Sequence, residues 1–124
     1  MWILSLFSIH LIQAGLLVPE DSANLNYIHI AFEWEQEGDA VDYHLQVALE
    51  DDPGFENPVI DLTDPTLISI ITENLNWETS YLWRVRPVYT DETTGSWIDT
   101  YSFTILSYIN IPISTVIYDS ENYF

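Results

Sequence analysis

Imidazole, carboxylate and exposed indole are the groups in this chain that could support chemistry or ligand contact, and their spacing limits what each could do. The histidines are His10, His29 and His44. Two on one face could move a proton or hold a metal. His10, however, lies in an apolar leader, and His29 and His44 fall on the polar faces of separate alternating runs, where solvated side chains are expected. Carboxylates are so abundant that two near neighbours mean little. A glycosidase needs its pair in a cleft, with separated pKa values, and a seven-strand sandwich of this size, the architecture implied by the strand pattern, has no evident deep cleft. Glu50-Asp51-Asp52, Asp61 with Asp64, and Asp91 with Glu92 offer the hard oxygens that calcium takes. They lack the spaced Asp-x-Asp-x-Asp pattern, so solvated turn acids are expected. The serines form no Gly-x-Ser-x-Gly elbow, and four glycines make no phosphate loop. No cysteine is present for a thiolate site, a nucleophile or a disulfide. No catalytic, metal or cofactor-binding residue is therefore assigned, and no enzyme activity or cofactor is expected.

The indoles give the one candidate ligand surface. Trp77 and Trp97 sit at loop or strand-end positions, and exposed Trp on a β-surface can stack on a sugar ring. Two indoles that are not evidently coplanar make a thin platform, and capping the ends of the fold accounts for them as well.

The elements that must position these groups are β-strands. Between Tyr27 and Trp34 the even positions Ile28, Ile30, Phe32 and Trp34 are apolar, which predicts a half-buried strand. Gly38-Asp39 turns the chain. Val41, Tyr43, Leu45, Val47 and Leu49 then alternate with Asp42, His44, Gln46 and Ala48, giving a second strand with one dry face. Asp51-Asp52-Pro53-Gly54 is a strong turn. Val59 to Leu62 suits an edge strand closed by Asp64-Pro65, and Thr66 to Thr72 is β-rich with an ambiguous inward face. Tyr81, Trp83 and Val85 alternate with Leu82, Arg84 and Arg86. After Thr93-Thr94-Gly95, a last strand is expected from Trp97 to Ile105, with Tyr101, Phe103 and Ile105 inward. A short strand near Leu16 to Val18 brings the count to about seven. Each strand has one apolar face, so two sheets must stack, as in an immunoglobulin-like β-sandwich.

The chain is 124 residues long and 48% hydrophobic, enough for one domain with a core. Its charge is nearly all of one sign: 20 Asp and Glu against Arg84 and Arg86, for a net −18. Such a chain cannot neutralise a row of phosphates, which excludes nucleic acid, and it does not suit anionic lipid. A solvated, self-repelling surface accounts for the acidity.

Met1 to Val18 carries no charged side chain. Its length suits a secretory signal with a cleavage site at Ile12-Gln13-Ala14 before Gly15, or an uncleaved anchor, although no Lys or Arg follows Met1. Export is the expectation. The membrane would be met only through this segment, if it stays uncleaved.

From about Leu17 to Ile105 the chain resembles a specific family, the fibronectin type III domains, especially their bacterial extracellular branch. Trp34, before a Gly-Asp turn, sits where that family keeps a core tryptophan. Tyr43-His44-Leu45-Gln46-Val47 is similar to its third strand, and Pro53-Gly54-Phe55 with Val59-Ile60-Asp61 to a loop and edge strand of bacterial members. Leu75, then Tyr81 and Trp83-Arg84-Val85-Arg86, has the spacing of the family's leucine and tyrosine corner, in which a tyrosine hydroxyl ties the preceding loop. Gly95-Ser96-Trp97 and Tyr101-Ser102-Phe103-Thr104 fit the closing strand. Asn76-Trp77-Glu78 departs from the family's usual turn, and there is no Arg-Gly-Asp. The resemblance implies an all-β, seven-strand sandwich outside the cell, with the strands of His29 and His44 in opposite sheets, and no particular ligand.

The organisation expected is a signal peptide or anchor over residues 1–15, a sandwich over 16–105, and a linker or the start of a further β domain over 106–124. The function expected is a non-catalytic, secreted or cell-surface module, a spacer or protein-interaction domain whose partner is a protein or polysaccharide outside the cell. The alternatives are a carbohydrate-binding module, which needs Trp77 and Trp97 exposed on one face, and the accessory domain of a truncated secreted enzyme.

Overall fold

Alternation of apolar and polar residues becomes eight strands in the computed structural model, which describes residues 15–107. They are β1 (Leu16–Val18), β2 (Ala23–Leu25), β3 (Ile30–Trp34), β4 (Ala40–Leu49), β5 (Ile60–Asp64), β6 (Ile68–Ile71), β7 (Thr79–Tyr89) and β8 (Tyr101–Ile105). They form two sheets, of order β1-β3-β6 and β2-β8-β7-β4-β5. The described part is all-β, with the core between the sheets, an arrangement compatible with a β-sandwich. Most of segments 1–15 and 106–124, with His10, lies outside the described residues.

Eight strands stand where seven are expected, because the first strand is split. Pro19 has no N–H with which to extend β1 along β3. The chain crosses to the other sheet, where β2 pairs in parallel with β8, Ala23 opposite Phe103 and Leu25 opposite Ile105. The Pro19 carbonyl accepts the Trp83 indole N–H at 3.3 Å, which anchors the crossing. Two further strands are shorter than the pattern suggests. β3 begins at Ile30 rather than Tyr27, and β8 at Tyr101 rather than Trp97.

The inward residues are those that parity selects. Ile30, Phe32 and Trp34 of β3 face Tyr43, Leu45 and Val47 of β4, Tyr81, Trp83 and Val85 of β7, and Phe103 and Ile105 of β8, in one buried cluster. Phe32 spans the gap between the sheets, edge-on to Trp83 (centroids 5.1 Å) and Phe103 (5.7 Å). Full burial of such a side chain contributes roughly 1.5–3 kcal/mol. The Trp34 indole N–H is buried without a hydrogen-bond partner among the described residues. Tyr81, stacked on Phe103, has a hydroxyl that accepts the Asn76 N–H at 2.8 Å, across a loop in which Leu75 is buried.

Candidate functional site

β7 turns Arg84 and Arg86 outward because Tyr81, Trp83 and Val85 are held in the core, so the chain's two cations share the outer face of the larger sheet. Trp97 lies over them. Continued parity from Tyr101, Phe103 and Ile105 would turn Trp97 inward, but the chain carries an extra residue here. The Ile98 N–H donates to the Val85 carbonyl, and Tyr101 pairs with Trp83. From Ile98 to Tyr101 is thus a step of three residues against two on β7. A one-residue excess of this kind reverses which side chains face in. Ile98 consequently packs on the core, and Trp97 faces out.

The Trp97 indole is stacked by the Arg84 guanidinium at 3.8 Å and the Arg86 guanidinium at 4.3 Å from its centre. Phe55 holds the other side of Arg84, at 4.0 Å. The loop after β4 folds Phe55 back: the Asp52 carbonyl accepts the Phe55 N–H, while its carboxylate accepts the N–H groups of Glu56 and Asn57. The Gln46 side-chain oxygen accepts from Arg84 Nε and Nη2, at 3.0 and 2.8 Å. Arg86 Nε donates to His44 Nδ1 at 3.1 Å, which leaves His44 Nε2–H to donate to Asp61 Oδ1. That assigns the neutral Nε2–H tautomer from the network. Burial, then the charge of Arg86, lowers the Arg84 guanidinium from its ordinary value, against a smaller opposing effect of Asp52. It stays charged, as guanidinium does in proteins.

His44 is therefore not the solvated side chain its parity suggests. It is half-buried, against Trp97 on one side and hydrogen-bonded at both nitrogens. His29 precedes β3, in the other sheet, so the two histidines do not meet. Trp77 is half-buried, packed on the core from the loop before β7, with its carbonyl accepting the Thr79 hydroxyl. Gln46 and Phe55 enter the sequence reading only as parts of a strand and a loop, not as site residues. Only the turn residues before Phe55 hint that it returns to the sheet.

The acids at turns are engaged locally. Asp64 and Asp91 each accept the hydroxyl and backbone N–H of the threonine two residues on, Thr66 and Thr93, which holds both carboxyls below the usual range. Glu37, Asp39 and Asp91 line an open depression of about 430 Å³ with Tyr89. Among the described residues no group of three or more His, Asp or Glu is placed to hold a metal ion.

With both cations stacked in one layer, little offsets the remaining carboxylates, and a stability measurement should show it. The Debye length falls from about 10 Å at 0.1 M salt to about 3 Å at 1 M. The melting temperature is therefore expected to rise continuously with sodium chloride, and magnesium and calcium at equal ionic strength should act alike. A saturating, calcium-only increase, abolished by Asp61→Asn with Asp64→Asn, would replace the solvated-surface reading with a metal site.

No protein-family model matches the chain, and no curated protein or solved structure matches it either.

Proposed function

We propose that the chain is a sandwich of the fibronectin type III kind, serving as a non-catalytic spacer or protein-interaction module of a secreted or surface protein. The observation that carries the reading is the tie between Tyr81 and its upstream loop. A tyrosine near the start of a central strand, its hydroxyl bonded to backbone five residues earlier, is the device the resemblance implies. Two stacked sheets sharing one aromatic core support the same fold. The outer-face network supports a structural use of the groups best suited to chemistry, because His44, Asp61, Arg84, Arg86 and Trp97 are occupied with one another. No observation favours sugar stacking, since Trp97 gives its ring to two guanidinium groups and Trp77 packs on the core.

Export is the part most directly tested. The Gly15 N–H donates to Glu35 Oε1 at 2.8 Å. Cleavage after Ala14 would convert that amide into an ammonium facing a carboxylate. Mass spectrometry of the exported protein is expected to show a start at Gly15. Glu35→Gln is then expected to cost the processed form about 0.5 kcal/mol, as an exposed ion pair would. Intact Met1 in the soluble cytoplasm would overturn the reading.

A further inference from the structure

A sheet ends in strands whose outer backbone groups have no ladder partner, and proteins protect such edges with charge, proline, bulges or brevity. Three of the four edges here are protected. β1 shifts register between Leu16 and Val18 and runs into Pro19. β2 has only three residues, and β5 carries Asp61 and Asp64. β6 differs: among the described residues Ile68-Ser69-Ile70-Ile71 pairs with β3 alone, and it has neither charge nor proline.

The exposed side chains of β6 are apolar as well. Ile71 turns inward, while Ile68 and Ile70 are 52% and 66% exposed. The apolar strip continues on the outer face of the smaller sheet to Ala31, opposite Ile70, while Leu17 of β1, beyond Glu33, is 45% exposed. Contiguous exposed apolar surface of this kind marks interaction sites. Backbone groups are available beside it. The Leu67 carbonyl accepts the Trp34 N–H, so alternation along an antiparallel pair directs the groups of Ile68 and Ile70 away from β3. The Ile68 carbonyl accepts the Thr66 hydroxyl. Among the described residues, that leaves the Ile68 N–H and both Ile70 groups without a ladder partner at this edge.

Glu33, opposite Ile68 on the same face, gives an added strand a charge to meet. It has no ion pair among the described residues. A strand added beyond β6 lies two spacings from it, so a cation on that strand would meet an unpaired carboxylate, whereas a neutral or acidic segment would gain nothing there. Neither cation of the chain can serve, because Arg84 and Arg86 are stacked on Trp97 on the opposite outer face. No other segment of the chain contains Lys or Arg, and a second copy would bring its own −18 against this one.

Resting on the protein-interaction reading above, we infer that the free edge of β6 receives an extended segment of another protein as an added strand. Its aliphatic side chains lie beside Ile68 and Ile70, and a Lys or Arg reaches over Ile68 to Glu33. The span fits: two strand spacings place such a residue about 10 Å from Glu33, within the joint reach of the two side chains. The stem of the cation covers the isoleucine on the way.

The test uses a synthetic peptide of about nine residues, alternating valine and threonine with lysines among the valines, long enough for one strand. Its twin is N-methylated at alternate amides on the edge that would pair. Amide shifts in the full chain on adding the parent peptide are expected at Ile68, Ser69, Ile70, Ile71 and Glu33. The twin, and the variant Ile70→Lys, are expected to bind at least about tenfold more weakly, because main-chain bonds carry affinity in strand addition. Glu33→Gln should weaken binding about threefold, and its urea melt checks that the variant is folded. Equal binding by the twin, or no binding up to about 1 mM, would overturn the inference. So would a dimer abolished by Ile70→Lys, which would assign the face to a second copy. Shifts confined to another surface would also overturn it while leaving the protein-interaction reading standing.

Discussion

Trp34→Ala is expected to lower the unfolding free energy by about 3–5 kcal/mol, the usual cost of emptying a large aromatic site in a core. The side chain is 2% exposed and packs against Tyr43 of the other sheet, with ring centres 5.8 Å apart. For a domain whose total stability is about 5–15 kcal/mol, such a loss approaches unfolding. One term moderates it. The indole N–H has no partner, and a buried unsatisfied donor already costs about 1–3 kcal/mol in the native state. Removing the whole side chain removes that penalty too, so the lower part of the range is expected. Trp34→Phe separates the two terms, since it discards the orphan donor and empties only part of the site; a cost clearly below that of Trp34→Ala, about 1–2 kcal/mol, is expected. Tyr81→Phe, which leaves the Asn76 N–H without its acceptor, is expected to cost about 1 kcal/mol or somewhat more. Urea or guanidinium melts measure all three. Losses below about 0.5 kcal/mol for both Trp34→Ala and Tyr81→Phe would mean that the inward assignment of β3 and β7 is wrong.

Those two strands were legible in the sequence for a simple reason. Where one face of a strand is buried and the other is wet, period-two alternation records the burial directly. Ile30, Phe32 and Trp34 carry that record, as do Tyr81, Trp83 and Val85. β2 left no such record. Ala23-Asn24-Leu25 is too short to alternate, and it is a strand only because Pro19 redirects the chain to a partner eighty residues away, at Phe103 to Ile105. The orientation of Trp97 was hidden too, since the extra residue before Tyr101 is visible only against the length of β7. His44 failed differently. Its parity was right, because it faces away from the core, but the polar face of a strand is not always wet. Arg84, Arg86, Phe55 and Trp97 cover the outer side of β4, so that Gln46 and Ala48 are buried there as well. Alternation reports one core and is silent about a second layer.

That second layer should be worth nearly as much as a core residue. Trp97→Ala is expected to cost about 2–3 kcal/mol, from lost burial of a half-exposed indole and the loss of two stacked guanidinium groups. Arg84→Ala would give an ambiguous result, since it also takes the net charge from −18 to −19. Arg84→Lys keeps the charge and removes the planar fork that stacks between Phe55 and Trp97 and holds Gln46. Its expected cost is about 1–2 kcal/mol, partly because the buried Gln46 oxygen loses a two-pronged donor. Stacking and plain coverage then separate in a double-mutant cycle of Trp97→Ala with Arg84→Lys. If the indole acts on the guanidinium through its π face, the two losses should not add, and the coupling should be about 1 kcal/mol. Coupling within about 0.3 kcal/mol of zero would mean that Trp97 merely shields apolar surface and that the arginines are held by Gln46 and His44 alone. The same cycle at high salt sharpens the outcome: repulsion among exposed carboxylates is screened there, whereas a half-buried contact between a cation and an aromatic face keeps most of its strength, so the coupling should survive at about 1 M sodium chloride.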